Sequence, residues 1–263
     1  MLTKYRFSLI LMALIISNLS FAYERQVAIT IDDLPFVGVA KEERFLSIMQ
    51  PLIDNNIPVT GFVIAGSIAK GQWSWLEQFQ QAGFVLGNHT YSHPSLDAIS
   101  AKKYMDEIQK ADKILAPLMS SSPKYFRYPF LAEGRGEKRR QVQKYLAANN
   151  YVIAPVMIDS KDFVFNAKLY TVPARLRLEK IKQIKPKYLA YIWRETMKNR
   201  SSKPILLLHA NLLNSYCMGE IIEMYKKHGY HFISLGEALN QQSTKEVAAE
   251  DSFEDVDAGD FEV

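Results

Sequence analysis

Two aspartates stand side by side at the end of an apolar run: VAITIDDLPF, residues 27–36. Like charges in contact repel, and each carboxylate is costly to desolvate. Such a pair sits either in water on a turn or against something positive. Further along, GNHTYSHPSL, residues 87–96, places His89 and His93 four apart. On one helical turn, two histidines at that spacing share a face and can ligate one metal. Pro94 disfavours the α conformation at His93, so the turn ends there. Alone, this spacing fits two solvent-exposed histidines better. With an aspartate from a neighbouring strand end, it becomes a two-histidine, one-carboxylate site with open positions. Hydrolytic metals use that open geometry to polarise a carbonyl and acidify water. A divalent cation would neutralise one aspartate of the pair and leave the other ionised to accept a proton. Adjacent strand residues point in different directions, so two distinct roles are natural.

These residues need a frame. Apolar runs at 27–32, 59–65, 84–88, 125–130, 151–158, 205–209 and 231–235 read as strands, several without alternation, as in strands buried on both faces. Amphipathic helices lie between them. Ser100 can cap one whose apolar face is Tyr104, Ile108, Ala111 and Leu115. Met218, Ile221, Ile222 and Tyr225 mark another, ended by Lys226, Lys227 and Gly229. Seven strand–helix units in a row predict an α/β chain with a parallel, barrel-like sheet. Residues 164–204 break the rhythm and read as a basic, aromatic helical insertion before the sixth strand, with Arg175, Arg177, Lys180, Tyr188, Tyr191 and Trp193. In such barrels chemistry gathers at the C-terminal strand ends. Asp32-Asp33 ends the first strand and His89 the third. Arg127 lies in the fourth, Asp159 and Asp162 follow the fifth, and His209 ends the sixth.

The termini carry other signals. Lys4 and Arg6 precede an apolar run, and Ser20-Phe21-Ala22 ends it with small residues at the positions a signal peptidase reads. Residues 1–22 therefore read as a cleaved secretory signal, too short for a membrane span. The single cysteine, Cys217, allows no intrachain disulfide and fits a bacterial periplasm or exterior; it reads as a small buried residue. Residues 245–263 hold eight acidic residues and one lysine and read as a disordered tail. The formal charge is +4 overall, so the body left after removal of signal and tail carries +9, which suits an acidic polymer or serves solubility alone.

Five motifs in order carry a resemblance. Thr30-Ile31-Asp32-Asp33-Leu34-Pro35 is similar to Thr-Phe-Asp-Asp-Gly-Pro. His89-Thr90-Tyr91-Ser92-His93 matches His-Ser/Thr-x-x-His. Arg127-Tyr128-Pro129-Phe130 matches Arg-x-Pro-Phe/Tyr. Asp159-Ser160-Lys161-Asp162-Phe163 is similar to Asp-x-x-Asp-Trp, and Leu207-Leu208-His209 matches Leu-x-His. Across roughly residues 26–240 the chain resembles the polysaccharide deacetylase family, the NodB-homology domain of carbohydrate esterase family 4. The resemblance implies a distorted (β/α)7–8 barrel over residues 23–244. It implies Asp33, His89 and His93 as ligands of one divalent metal, usually Zn2+, with Co2+ or Ni2+ as alternatives. It implies Asp32 as general base, held by Arg127, and His209 as general acid, oriented by Asp162. The Phe130 N–H would stabilise the oxyanion, and Leu207 and Phe163 would enclose the acetyl methyl. Leu34 departs from the family glycine and Phe163 from its tryptophan, which bears on substrate shape more than on chemistry.

The expected activity is removal of N-acetyl groups from a glycan such as peptidoglycan, a chitin-like oligomer or an exopolysaccharide, by an exported monomer. Nucleic acid is not an expected partner. An O-acetyl esterase or a non-glycan amidase would use the same site. A non-catalytic glycan-binding protein would need neither Asp32 nor His209. Asp159 reads as a cap of the following segment, outside the site, and His228 and His231 as structural.

Overall fold

A computed structural model describes residues 25–38, 42–119 and 121–240. The expected signal (1–22) and acidic tail (245–263) lie outside the described residues. Eight strands form one sheet: β1 (Arg25–Leu34), β2 (Val59–Val63), β3 (Val85–Asn88), β4 (Lys124–Phe126), β5 (Tyr151–Ile153), β6 (Ile158–Asp159), β7 (Ile205–His209) and β8 (Tyr230–Ile233). Every ladder is parallel, in the order β5-β4-β3-β2-β1-β7-β6, with β8 on the first half of β1. Between the strands run α1 (Glu42–Asp54), α2 (Trp73–Gln81), α3 (Ala101–Leu115), α4 (Gly136–Ala148), α5 (Asp162–Ala167), α6 (Arg177–Lys198) and α7 (Asn214–Lys227). Ser100 caps α3 by accepting from the Lys103 N–H, as its sequence predicts.

Strand alternation sorts the side chains. Val27, Ile29 and Ile31 of β1 pack with Leu206 and Leu208 of β7 in the large core shared with the helices. Ala28 and Ile205 turn the other way, into a small cluster with Phe62. Thr30 and Asp32 follow Ala28 at a spacing of two, so the curled sheet carries polar groups on its inner face. Gly87 is paired with Phe62, and a Cβ there would lie 2.8 Å from the Phe62 ring and from the Tyr125 carbonyl. The close strand contact at that point requires glycine.

The expected single strand over 151–158 is two strands, on opposite ends of the sheet path. Pro155 interrupts it and has no N–H to give a ladder. The Ala154 N–H donates to Phe126 O and the Met157 N–H to Ile205 O, so residues 154–157 bridge the two sheet ends. The barrel is thus closed by the chain itself, as a distorted (β/α) barrel. The fourth strand also stops at Phe126, and Arg127 lies just past its end. The 164–204 insertion is helical, as expected, with α6 as its main element.

Candidate active site

A cavity of about 490 Å³ opens at the C-terminal strand ends. Its lining includes Asp32, Asp33, His89, His93, Phe130, Phe163, Leu207 and His209, so eight of the ten site residues expected from sequence border one space. The other two, Arg127 and Asp162, are fully buried behind it.

Asp32 and Asp33 owe their separation to a break in β1. The register with β2 shifts between Ile31 and Leu34, and Asp33 adopts φ 61°. A bulge re-aims a side chain in this way beside many active sites. The two carboxylates do not take opposite faces as a regular strand would require; both reach the cavity. Asp32 is buried, and its Oδ1 accepts from Arg127 Nη1 at 2.9 Å. The same nitrogen donates to Thr30 Oγ1 at 2.7 Å, and Nε and Nη2 donate to the Ala154 and Pro155 carbonyls. Arg127 therefore ties β1 to the closing segment. Its guanidinium also lies over the Phe62 ring. Burial pulls the Arg127 pKa down, and the Asp32 charge opposes that.

Asp33 faces a different set, sharing with Asp32 only His89, whose Nε2 lies 3.7 Å from Asp32 Oδ2. Its Oδ1 lies 3.4 Å from His89 Nε2 and 3.3 Å from His93 Nε2. His89 Nδ1 is 2.8 Å from the Arg127 carbonyl, which can only accept, so that nitrogen carries the proton. In neutral His89 the Nε2 lone pair then points toward Asp33. Burial raises the Asp33 carboxyl, but the two imidazoles outweigh it and hold it well below the usual carboxylate range. Asp33 Oδ1 is buried with no hydrogen-bond partner. An orphaned anionic oxygen beside two imidazole nitrogens fits a divalent cation, and all three ligand atoms lie within 4.8 Å of one another.

His89 and His93 do not share a helical turn. They lie on an irregular loop in which Thr90 and His93 have φ 66° and 60°. Thr90 Oγ1 accepts from the His93 N–H, and Asn88 Oδ1 accepts from the Thr90 N–H. The loop, rather than a helix face, brings the rings to 4.9 Å between centroids. Among the described residues, eight that are not glycine have positive φ; six of them (Asp33, Thr90, His93, Phe130, Leu131 and Lys161) belong to the loops that carry the site. Such backbone strain costs of order 1–3 kcal/mol per residue and gathers where function over-determines geometry.

The opposite wall holds His209. Asp162 Oδ1 accepts from His209 Nδ1 at 2.6 Å, and Oδ2 accepts the His209 backbone N–H at 2.6 Å. This leaves Nε2 for the cavity. Burial lowers the His209 pKa, but the Asp162 charge and hydrogen bond more than reverse it, to about 10. Asn214 Nδ2 donates to Asp162 Oδ2 at 2.5 Å, and Tyr188 Oη donates to Asn214 Oδ1. Sequence reasoning missed Asn214, which no motif marks. Tyr188, one of the aromatics of the 164–204 insertion, is buried and supports the acid wall through Asn214. Thr30 was legible from the strand period, two before Asp32.

Phe130 and Phe163 are 69% and 51% exposed and stand at the mouth, each edge-on to a histidine, His93 and His209. Leu207 is buried at the base. Asp159 also lines the cavity. Its Oδ1 accepts the Lys161 N–H, as a local cap, and its Oδ2 pairs with Lys161 Nζ at 2.6 Å. Cys217 is buried, and burial pushes its thiol up to about 12. His228 stacks on Trp193 at 3.7 Å between ring centroids.

Residues 22–151 match the family model described as polysaccharide deacetylase, and the chain belongs to this family. The match ends before Asp162 and His209, so the acid wall stands on geometry. A peptidoglycan-N-acetylglucosamine deacetylase of Bacillus cereus is 30% identical over 138 residues, covering 52% of this chain and 46% of that protein. A chitin deacetylase of Colletotrichum lindemuthianum is 26% identical over 144 residues, covering 53% and 54%. The chain thus spans about half the length of these curated relatives. Among solved structures, a pseudoenzyme of carbohydrate esterase family 4 from Bacillus anthracis superposes with a TM-score of 0.62 at 18% identity, over 82% of this chain and 66% of that one. That likeness shows the fold. No helix among the described residues is long and apolar enough to cross a membrane.

Proposed function

We propose that the chain is an exported hydrolase that removes N-acetyl groups from an N-acetylglucosamine-type polysaccharide. One observation carries the reading. Two complete sets of groups face each other across one cavity, Asp33–His89–His93 with Asp32 on one side and His209–Asp162 on the other.

Asp33, His89 and His93 would hold a divalent ion, with zinc the best match to a two-histidine, one-carboxylate set. When bound, such an ion supplies Lewis-acid polarisation of the acetamide carbonyl and of the attacking water. Asp32, fixed by Arg127, accepts the proton of that water. The Phe130 N–H donates to the carbonyl oxygen as it gains negative charge. His209, kept protonated by Asp162, delivers a proton to the departing amine, and acetate leaves. Leu207 and Phe163 enclose the acetyl methyl. A binding protein would gain nothing from a buried Arg127–Asp32 pair and a charged His209.

The test is acetate release across a panel of peptidoglycan fragments, chitin oligomers and O-acetylated glycans, with and without chelator. Chelator-sensitive acetate with a matching rise in free amine is expected from the N-acetylated members. Acetate without new amine would replace this reading with an esterase.

A further inference from the structure

Three asparagines surround the His209 wall, and they are used differently. Asn214 is saturated: Nδ2 donates to Asp162 and to the His209 carbonyl, and Oδ1 accepts from Tyr188. Asn211 and Asn166 are not. Asn211 Oδ1 accepts the Asn214 N–H at 3.0 Å, and Asn166 Oδ1 accepts the Leu213 N–H at 3.1 Å. A backbone N–H can only donate, so both amide orientations are fixed, with oxygen toward the backbone. Each Nδ2 is left without a partner among the described residues. Both side chains are more than nine-tenths buried, at 1% and 8% exposure, and both line the cavity.

Buried amides are ordinarily hydrogen-bonded on both ends, because an unmet polar group costs free energy. Neither Nδ2 is fully enclosed by protein, and both residues line the cavity, so the free donors are open to whatever enters it. Lys161, the nearby cation, is tied to Asp159 and adds no free charge. The wall is therefore rich in neutral N–H donors, complementary to the hydroxyl and ether oxygens of a sugar.

We propose that Asn166 and Asn211 form a sugar-recognition site. They donate to oxygens of the sugar on the leaving-amine side and set specificity for glycan over simple acetyl compounds. This rests on the deacetylase reading. Neither residue belongs to the five motifs, and the family-model match ends before both.

The test compares kcat/KM for an N-acetylglucosamine oligomer with that for a small sugar-free N-alkyl acetamide, whose leaving amine needs the same proton from His209, in metal-loaded wild type, Asn166→Asp and Asn211→Asp. The aspartates keep the oxygen that caps the backbone and replace the donors. The ratio of glycan to small-acetamide kcat/KM should fall about tenfold in each variant, the scale of a lost buried hydrogen bond, mainly through KM for the oligomer. A purely structural role would lower both substrates together and leave the ratio unchanged, which overturns the proposal. Wild type that releases acetate from the small acetamide but from no glycan would overturn the glycan-deacetylase reading, and this site with it. Wild type active on the oligomer with unchanged ratios in both variants removes the asparagines alone.

Discussion

Asp32 and Asp33 are neighbours in sequence that share His89, whose Nε2 lies 3.7 Å from Asp32 Oδ2 and 3.4 Å from Asp33 Oδ1, but otherwise differ in partner: Asp32 Oδ1 accepts from Arg127 at 2.9 Å, and Asp33 Oδ1 stands 3.3 Å from His93 Nε2. Their amide substitutions should therefore separate. Asp32→Asn should keep bound metal and lose roughly 10²–10⁴-fold in kcat, the range of general-base catalysis. Asp33→Asn should lose the metal as well. Elemental analysis beside initial rates reads both, and equal metal loss would mean the pair is divided wrongly.

The split was only partly visible in the sequence. The motifs placed both aspartates at the end of β1, and strand alternation predicted that they diverge. The actual device is a bulge with Asp33 at positive φ, which no glycine or asparagine announces. The same holds for His89 and His93. Their spacing suggested a shared helical face, whereas an irregular loop anchored by Asn88 and Thr90 brings them together. Elements with strong periodicity, such as α3 and β7, were legible because local pattern and burial agree. Asn214 was not, because its role depends on Asp162 and Tyr188, 52 and 26 residues away. The break at 154–157 was written in Pro155, but its consequence, strands at opposite ends of one sheet, is topological.

Metal binding should be readable without turnover. A ligand that binds only the folded state stabilises it by RT ln(1 + [L]/Kd), about 2.7 kcal/mol at a hundredfold excess over Kd. Zinc added to chelator-treated wild type should raise Tm, and His93→Ala should lose most of that rise. An undiminished rise in His93→Ala would place the ion elsewhere.

Arg127 should matter for stability as well as rate. It is fully buried, pairs with Asp32 and donates to Thr30 and to two carbonyls of the closing segment. Arg127→Met leaves the Asp32 charge buried without its cation, a change that costs about 3–5 kcal/mol. In Asp32→Asn the carboxylate is already gone, so adding Arg127→Met to it should cost less than in wild type. Urea unfolding of the four proteins completes the cycle. A single-mutant cost under about 1 kcal/mol would contradict the burial argument.

The last prediction concerns pH. An ordinary histidine titrates near 6.5, while the Asp162 charge and hydrogen bond carry His209 up to about 10 against the opposing effect of burial. A pKa raised in the folded state stabilises that state fully below the unfolded value, and the contribution is lost as pH rises through the folded value. The His209–Asp162 pair should therefore support stability at pH 6 and lose that support between about 6.5 and 10. Activity should share the alkaline limit, because His209 donates only while protonated. Asp162→Asn removes the charge that favours the imidazolium, so the His209 pKa drops and the alkaline limb of kcat/KM moves to lower pH, with a lower maximum. Other groups in the loaded site titrate nearby, so the limbs report the coupled site and the comparison needs one soluble substrate with metal in excess. NMR titration of the imidazole in both proteins, with metal absent, supplies a readout independent of turnover. An alkaline limb that stays in place while the imidazole pKa falls would take His209 out of the proton-donating step.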